Sequence, residues 1–143
     1  MFIFLEEKNW KSSLEIWQKF PQDNADLKSL RAQGMAKSYE GLKKSSKAAD
    51  AWSVYQSMQL KPANDIFERI AINRVKAGEK DKAISDCSTL ISLQKQKDYQ
   101  EICKAFVYHA SGDKKEALLR VQRALEINKE NSDAQNLLEI FNH

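Results

Sequence analysis

Cys103 and His109 lie close together on one predicted helix, and a thiol beside an imidazole is the pairing that activates a cysteine nucleophile. The pair lacks a third group to orient the imidazole and any donor set for an oxyanion. No glycine-rich phosphate loop, HExxH helix or GxSxG elbow stands elsewhere in the chain. The two cysteines, Cys87 and Cys103, lack metal-ligand spacing and do not form a disulfide framework, which is compatible with a reducing compartment. The one basic cluster, Lys43, Lys44 and Lys47, falls in a predicted turn and reads as a solvated turn. A net charge of +3 gives little support to nucleic-acid binding, which calls for a concentrated basic stripe. The expectation is a non-enzymatic chain with no cofactor, metal, small-molecule substrate or nucleic-acid partner.

With no chemistry to position, the elements themselves carry the information. The 143 residues are enough for one domain with a continuous core. Hydrophobic residues at 42% and charged residues at 30% are ordinary for a soluble protein. Four glycines and two prolines are too few turn residues for a β-rich fold, so long helices with short connections are favoured. The opening "MFIFL" is too short for a signal-peptide core or a membrane span. A cytoplasmic location is slightly favoured. A periplasmic or membrane-tethered one is the alternative if an N-terminal segment was removed.

The organising signal is an internal repeat. "GEKDKAISDCSTLI" from Gly78 aligns without a gap on "GDKKEALLRVQRAL" from Gly112, 34 residues later. In both, a glycine turn precedes a lysine-rich start, a small residue, and apolar residues four and seven positions further on, which is one face of a helix. Extended in both directions, this register divides the chain into an N-terminal half-repeat (1–28), three full repeats (29–62, 64–97 and 98–131) and a capping helix (132–143). Ala63 is a one-residue insertion between repeats. In the half-repeat, Trp10, Leu14, Trp17 and Phe20 stand at helical spacing behind Asn9 as N-cap, and Pro21 ends the helix. The second repeat carries Leu30, Met35, Ala36 and Tyr39, the turn "GLKKSS", then Ala48, Trp52 and Tyr55. The third opens with Asn64 as N-cap and runs through Phe67, Ile70 and Ala71, then Ala83, Cys87, Leu90 and Ile91. The fourth carries Ala105 and Tyr108, then Ala117, Val121, Ala124 and Leu125. In the last helix, Glu139 stands where the other units have alanine, which marks a terminal cap facing water.

This pattern resembles the tetratricopeptide repeat, a 34-residue helix–turn–helix unit with small residues where helices touch. The resemblance rests on Ala36 with Tyr39, Ala105 with Tyr108, Ala48 with Trp52, and Ser13 with Trp17, and it covers nearly the whole chain. The chain departs from the pattern at Arg74, which replaces a tyrosine, and at Cys87 and Val121, which replace an aromatic. The resemblance implies an all-α fold: a right-handed superhelix, or α-solenoid, of stacked antiparallel hairpins. It also implies a concave groove, lined by the first helix of each repeat, that binds a peptide or helix of a partner protein. By register the groove residues are Gln33, Lys37 and Glu40, then Asp65, Glu68, Ile72, Val75 and Lys76, then Tyr99, Ile102, Phe106 and His109. Ile102 and Phe106 form either an exposed apolar docking patch or a floor covered by the next helix. Acidic Asp65 and Glu68 disfavour the family's clamp for a C-terminal carboxylate. A second reading is a homo-oligomeric scaffold: the half-repeat leaves Phe2, Phe4, Trp10 and Trp17 short of a full partner helix, and open solenoid ends can stack.

Overall fold

The computed structural model describes the backbone of residues 2–89 and 95–143, and the side chains of residues 9–89 and 95–143. Among the described residues the chain is all-helical, with eight α-helices and no strand. These are α1 (Phe2–Gln18), α2 (Ala25–Gly41), α3 (Ser45–Ser57), α4 (Asn64–Lys76), α5 (Lys80–Cys87), α6 (Lys97–Ala110), α7 (Lys114–Ile127) and α8 (Ser132–Asn142). Each helix packs on the next in sequence, and α4 also packs on α6. Among the described residues, none of the helices is long and apolar enough to cross a membrane. The expected Leu90 and Ile91 lie outside the described residues.

The turns follow the repeat. Gly78 and Gly112 both take positive φ, at 74° and 84°, in the left-handed region that a Cβ disfavours. In the preceding unit the same place is held by Lys43 at φ 59°. The lysine cluster is therefore only partly a turn. Lys47 has entered α3 and sits 5.9 Å from the Tyr39 ring centroid. Gly41, read as part of the turn, is instead the last residue of α2.

Small residues set the spacing between helices. Within each hairpin an alanine on the first helix and an alanine on the second are both buried: Ala36 with Ala48, Ala71 with Ala83, and Ala105 with Ala117. A larger side chain there would hold two backbones apart. Two further small residues do the same at the N-terminal end. A Cβ added at Gly34 would overlap the Trp17 indole, and one at Gly41 would overlap the Trp10 indole. The glycines are seven residues apart on α2 and the tryptophans seven apart on α1, so two indoles rest in two notches of the facing helix.

Several expectations need correction. The helix that was to begin at Trp10 behind an Asn9 cap starts at Phe2, so residues 2–9 extend the same helix. Asn64 is the first residue of α4, and the inserted Ala63 is its N-cap. Asn24 does cap α2, its side chain accepting from Leu27 N at 2.9 Å. Leu30, expected inside, is 44% exposed. Most consequentially, Cys87 and Cys103 are not free thiols. They form a disulfide that ties the end of α5 to α6 across a sequence separation of 16.

Two outcomes follow. Alanine for glycine inside a helix ordinarily stabilises by about 0.5–1 kcal/mol. Gly34→Ala should instead destabilise by about 1–3 kcal/mol through overpacking against Trp17. Gly41→Ala should cost less, because Trp10 is 36% exposed and can swing away. Thermal denaturation of the two variants checks both the sign and the order. Reducing the disulfide releases a loop whose closure is worth about 3 kcal/mol, so a reductant should lower the melting temperature of the wild type and leave that of a Cys87→Ala/Cys103→Ala variant unmoved.

Candidate functional site

The first helices of the three hairpins, α2, α4 and α6, carry the residues expected to line a groove. On α2, Gln33 is half-buried and Lys37 is exposed. Glu40 is tied across to α4, where it accepts from Asn73 Nδ2 at 2.9 Å and pairs with Arg69 at 3.3 Å. On α4, Asp65, Glu68 and Lys76 are exposed and Ile72 is 38% exposed, whereas Val75 packs against the core. The α4 face therefore presents an acid pair, one aliphatic side chain and one base in about three turns of helix.

The third helix departs from expectation. Ile102 is 0% and Phe106 4% exposed, so neither can meet a partner. The cause is α8. Phe141 meets Phe106 edge-on at 5.9 Å between centroids, and Leu137 and Phe141 share a buried cluster with Ile102. Of the two readings left open for these residues, the covered floor is the one the structure contains. Tyr99 is drawn to the same helix, its hydroxyl donating to Asp133 Oδ2 at 2.6 Å. Asp98 accepts from Asn131 Nδ2 at 2.9 Å, and Asn131 in turn caps α8. His109 stays exposed, with its ring stacked on Phe141 at 4.3 Å.

The Cys103–His109 nucleophile pair does not exist. Cys103 is bonded to Cys87, and six residues of helix turn the imidazole toward α8. Among the described residues there is also no group of three His, Cys, Asp or Glu placed to hold a metal.

At the N-terminal end, Trp17 and Trp10 pack on α2 at Gly34 and Gly41. Trp10 nevertheless remains partly open. The side chains of Phe2 and Phe4 lie outside the described residues.

The sequence reading missed a buried arginine. Arg74 occupies the register position of Tyr39 and Tyr108, and its side chain is 2% exposed. It pairs with Asp50 at 2.7 Å, Glu79 at 3.0 Å and Asp86 at 3.6 Å, joining α3, α4 and α5. Ser46 donates to Glu79 Oε2 at 3.1 Å, and this bond together with Arg74 holds the Glu79 carboxyl below its usual range. The signal was available, since Asp50, Glu79 and Asp86 all stand near a lone arginine in an aromatic slot. The three acids belong to two different units, however, and are brought together only by packing. The tyrosine at the matching place in the fourth repeat also meets cations: Lys80 lies 5.2 Å and Arg120 5.6 Å from the Tyr108 ring.

Comparisons with known protein families, with characterised proteins and with solved structures gave no match.

The Tyr99 contact makes a pH-dependent prediction. Burial, then the hydrogen bond to Asp133, holds the phenol up at about 12. A raised pKa means that the neutral hydroxyl is the form favoured by folding. Its contribution is complete below about pH 10, the unfolded value, and is lost as pH rises through 12. Alkaline titration of tyrosine absorbance should show one late step that Tyr99→Phe removes. An unchanged profile in that variant would contradict the contact.

Proposed function

We propose that this chain is a tetratricopeptide-like interaction module, non-catalytic, in which the hairpins stack as a right-handed superhelix. Its concave face, lined by α2, α4 and α6, holds a peptide or helix of a partner protein during assembly of a larger complex. The observation that carries this reading is the buried alanine pair recurring in each hairpin at the repeat spacing. Such pairs let helices approach closely and leave the outward faces of the first helices free to differ. Function then lives in those outward side chains rather than in the scaffold.

The burial pattern narrows the groove. Ile102, Phe106 and Val75 belong to the core, and Tyr99 is committed to α8. The candidate binding residues are therefore Gln33 and Lys37 on α2, Asp65, Glu68, Ile72 and Lys76 on α4, and His109 on α6. This face is mixed in charge with a single aliphatic contact, and it fits a polar segment carrying both signs of charge rather than a wholly apolar helix. Self-association through the open N-terminal half-repeat, where Trp10 and Trp17 pack on α2, is the alternative reading. The Cys87–Cys103 bond supports an oxidising compartment over the cytoplasm.

An affinity pulldown from native extract tests the reading, using wild type against an Ile72→Glu/Lys76→Glu variant whose helicity is intact by circular dichroism. Both residues are exposed, so the fold should survive. One protein retained by wild type and lost by the variant is the expected result. The same set of proteins on both would overturn the assignment of this face.

A further inference from the structure

A cleft of about 330 Å³ lies between the two helices of the first full hairpin, α2 and α3. Its apolar lining is Ala32, Met35 and Tyr39 on α2 and Ala51 and Val54 on α3. The same place is filled in the other two hairpins. In the last, Glu101 matches Ala32 and Arg120 matches Ala51. Those two side chains pair at 3.2 Å, and the Arg120 guanidinium lies 5.6 Å from the ring centroid of Tyr108, the match of Tyr39. In the middle hairpin the matches of the two alanines are Phe67 and Asp86. Phe67 is buried, and Asp86 reaches Arg74, the match of Tyr39, at 3.6 Å. The first hairpin has alanine at both places, and the volume that larger side chains take elsewhere is open beside Tyr39.

The charge around the cleft is also changed in sign. Lys47, which lines it, stands where the last hairpin has Glu116, a partner of Arg120. Arg31 lines it too and is half-buried. Its Nη2 donates to Gln18 O at 3.4 Å, but its Nε is buried without a hydrogen-bond partner. A buried N–H left unmet is unfavourable, and an acceptor brought by a ligand would relieve it. Neither Arg31 nor Lys47 is in an ion pair among the described residues. The one lining carboxylate, Asp50, is already met by Arg74 at 2.7 Å and Lys82 at 3.9 Å. We infer that the α2–α3 cleft binds a small amphiphilic carboxylate, its apolar body against Met35, Tyr39 and Val54 and its carboxylate at Arg31. A cleft of this volume, walled by a single hairpin, suits one small molecule rather than a helix. None of its lining residues belongs to the face proposed above to hold a partner protein, so the two sites stand or fall separately.

The probe is octanoate, titrated into isotope-labelled protein and followed by the backbone amide signals in nuclear magnetic resonance. Saturable shifts confined to α2 and α3 are expected, with a dissociation constant of about 1 mM for so small a ligand. Octylammonium, matched in apolar length and opposite in charge, should bind about tenfold more weakly. Arg31→Gln should weaken octanoate by a similar factor. Ala32→Glu/Ala51→Arg rebuilds the Glu101–Arg120 pair inside the cleft and should abolish binding, with helicity by circular dichroism intact. Ala51→Met fills the same space without charge and should abolish binding as well, so the test survives if the double variant does not fold. Equal binding of octylammonium, or unchanged binding in Arg31→Gln, would overturn the carboxylate assignment. Binding that persists in a folded, filled variant would overturn the cleft. No shift at about 10 mM octanoate, or shifts spread evenly over α4 to α8 as in detergent-like adsorption, would overturn the inference entirely.

Discussion

One contact recurs along the chain and the rest of the structure depends on it. It joins the second helix of a hairpin to the first helix of the next. Between α1 and α2 the contact is the Trp17 indole in the Gly34 notch. Between α3 and α4 it is the Arg69 guanidinium 4.9 Å from the Trp52 ring centroid. Between α5 and α6 it is the disulfide from Cys87 to Cys103. The register is the same each time, 34 or 35 residues apart, but the chemistry is shape, then cation–π attraction, then a covalent bond. What must be conserved at this seam is a distance between two backbones. A large residue facing a small one, two of medium reach, or two bonded sulfurs can each satisfy it.

The seam also explains the polar interior beside it. Where α4 meets α3 and α5, the aromatic slot holds Arg74, and a buried guanidinium is tolerable only when its charge is met. Asp50, Glu79 and Asp86 meet it from two helices and a turn while staying partly solvated themselves. They therefore keep much of their hydration while the arginine loses most of its own. At the C-terminal end the same logic runs through neutral and paired groups: Tyr99 with Asp133, Asp98 with Asn131, and Arg120 with Glu101 and Glu116. Helix α8 is held by the Tyr99–Asp133 and Asp98–Asn131 bonds and by Phe106 against Phe141. It buries the apolar face of α6 that would otherwise be open.

Much of the fold was legible because alanine and glycine carry it. The positive-φ glycines at 78 and 112 and the alanines at 83 and 117 fix the hairpins from spacing alone, and both alanines are buried as the spacing requires. Glu139, read as facing water, is exposed. The candidate site was less legible. Periodicity places Ile102 and Phe106 on a face, but whether that face is open depends on α8, a different part of the chain. The disulfide escaped because Cys87 and Cys103 become neighbours only when α5 folds back on α6. The tryptophans read as short of a full partner helix because the half-repeat holds one helix, and spacing alone does not match Gly34 of the next helix to them. In the folded chain it is the notch that receives them.

If the seam positions are equivalent, their contents can be exchanged between units. The direct measurement is the thermal stability of Cys87→Trp, Cys103→Gly and the double variant, each compared with a Cys87→Ala/Cys103→Ala reference. Trp52 is already buried at this position one unit earlier, so the slot accepts an indole when the facing residue makes room. Cys87→Trp alone should melt well below the reference, and adding Cys103→Gly should restore most of the loss. A double variant no more stable than Cys87→Trp alone would mean that the two seams are not the same place in a repeat, and the register would have to be redrawn.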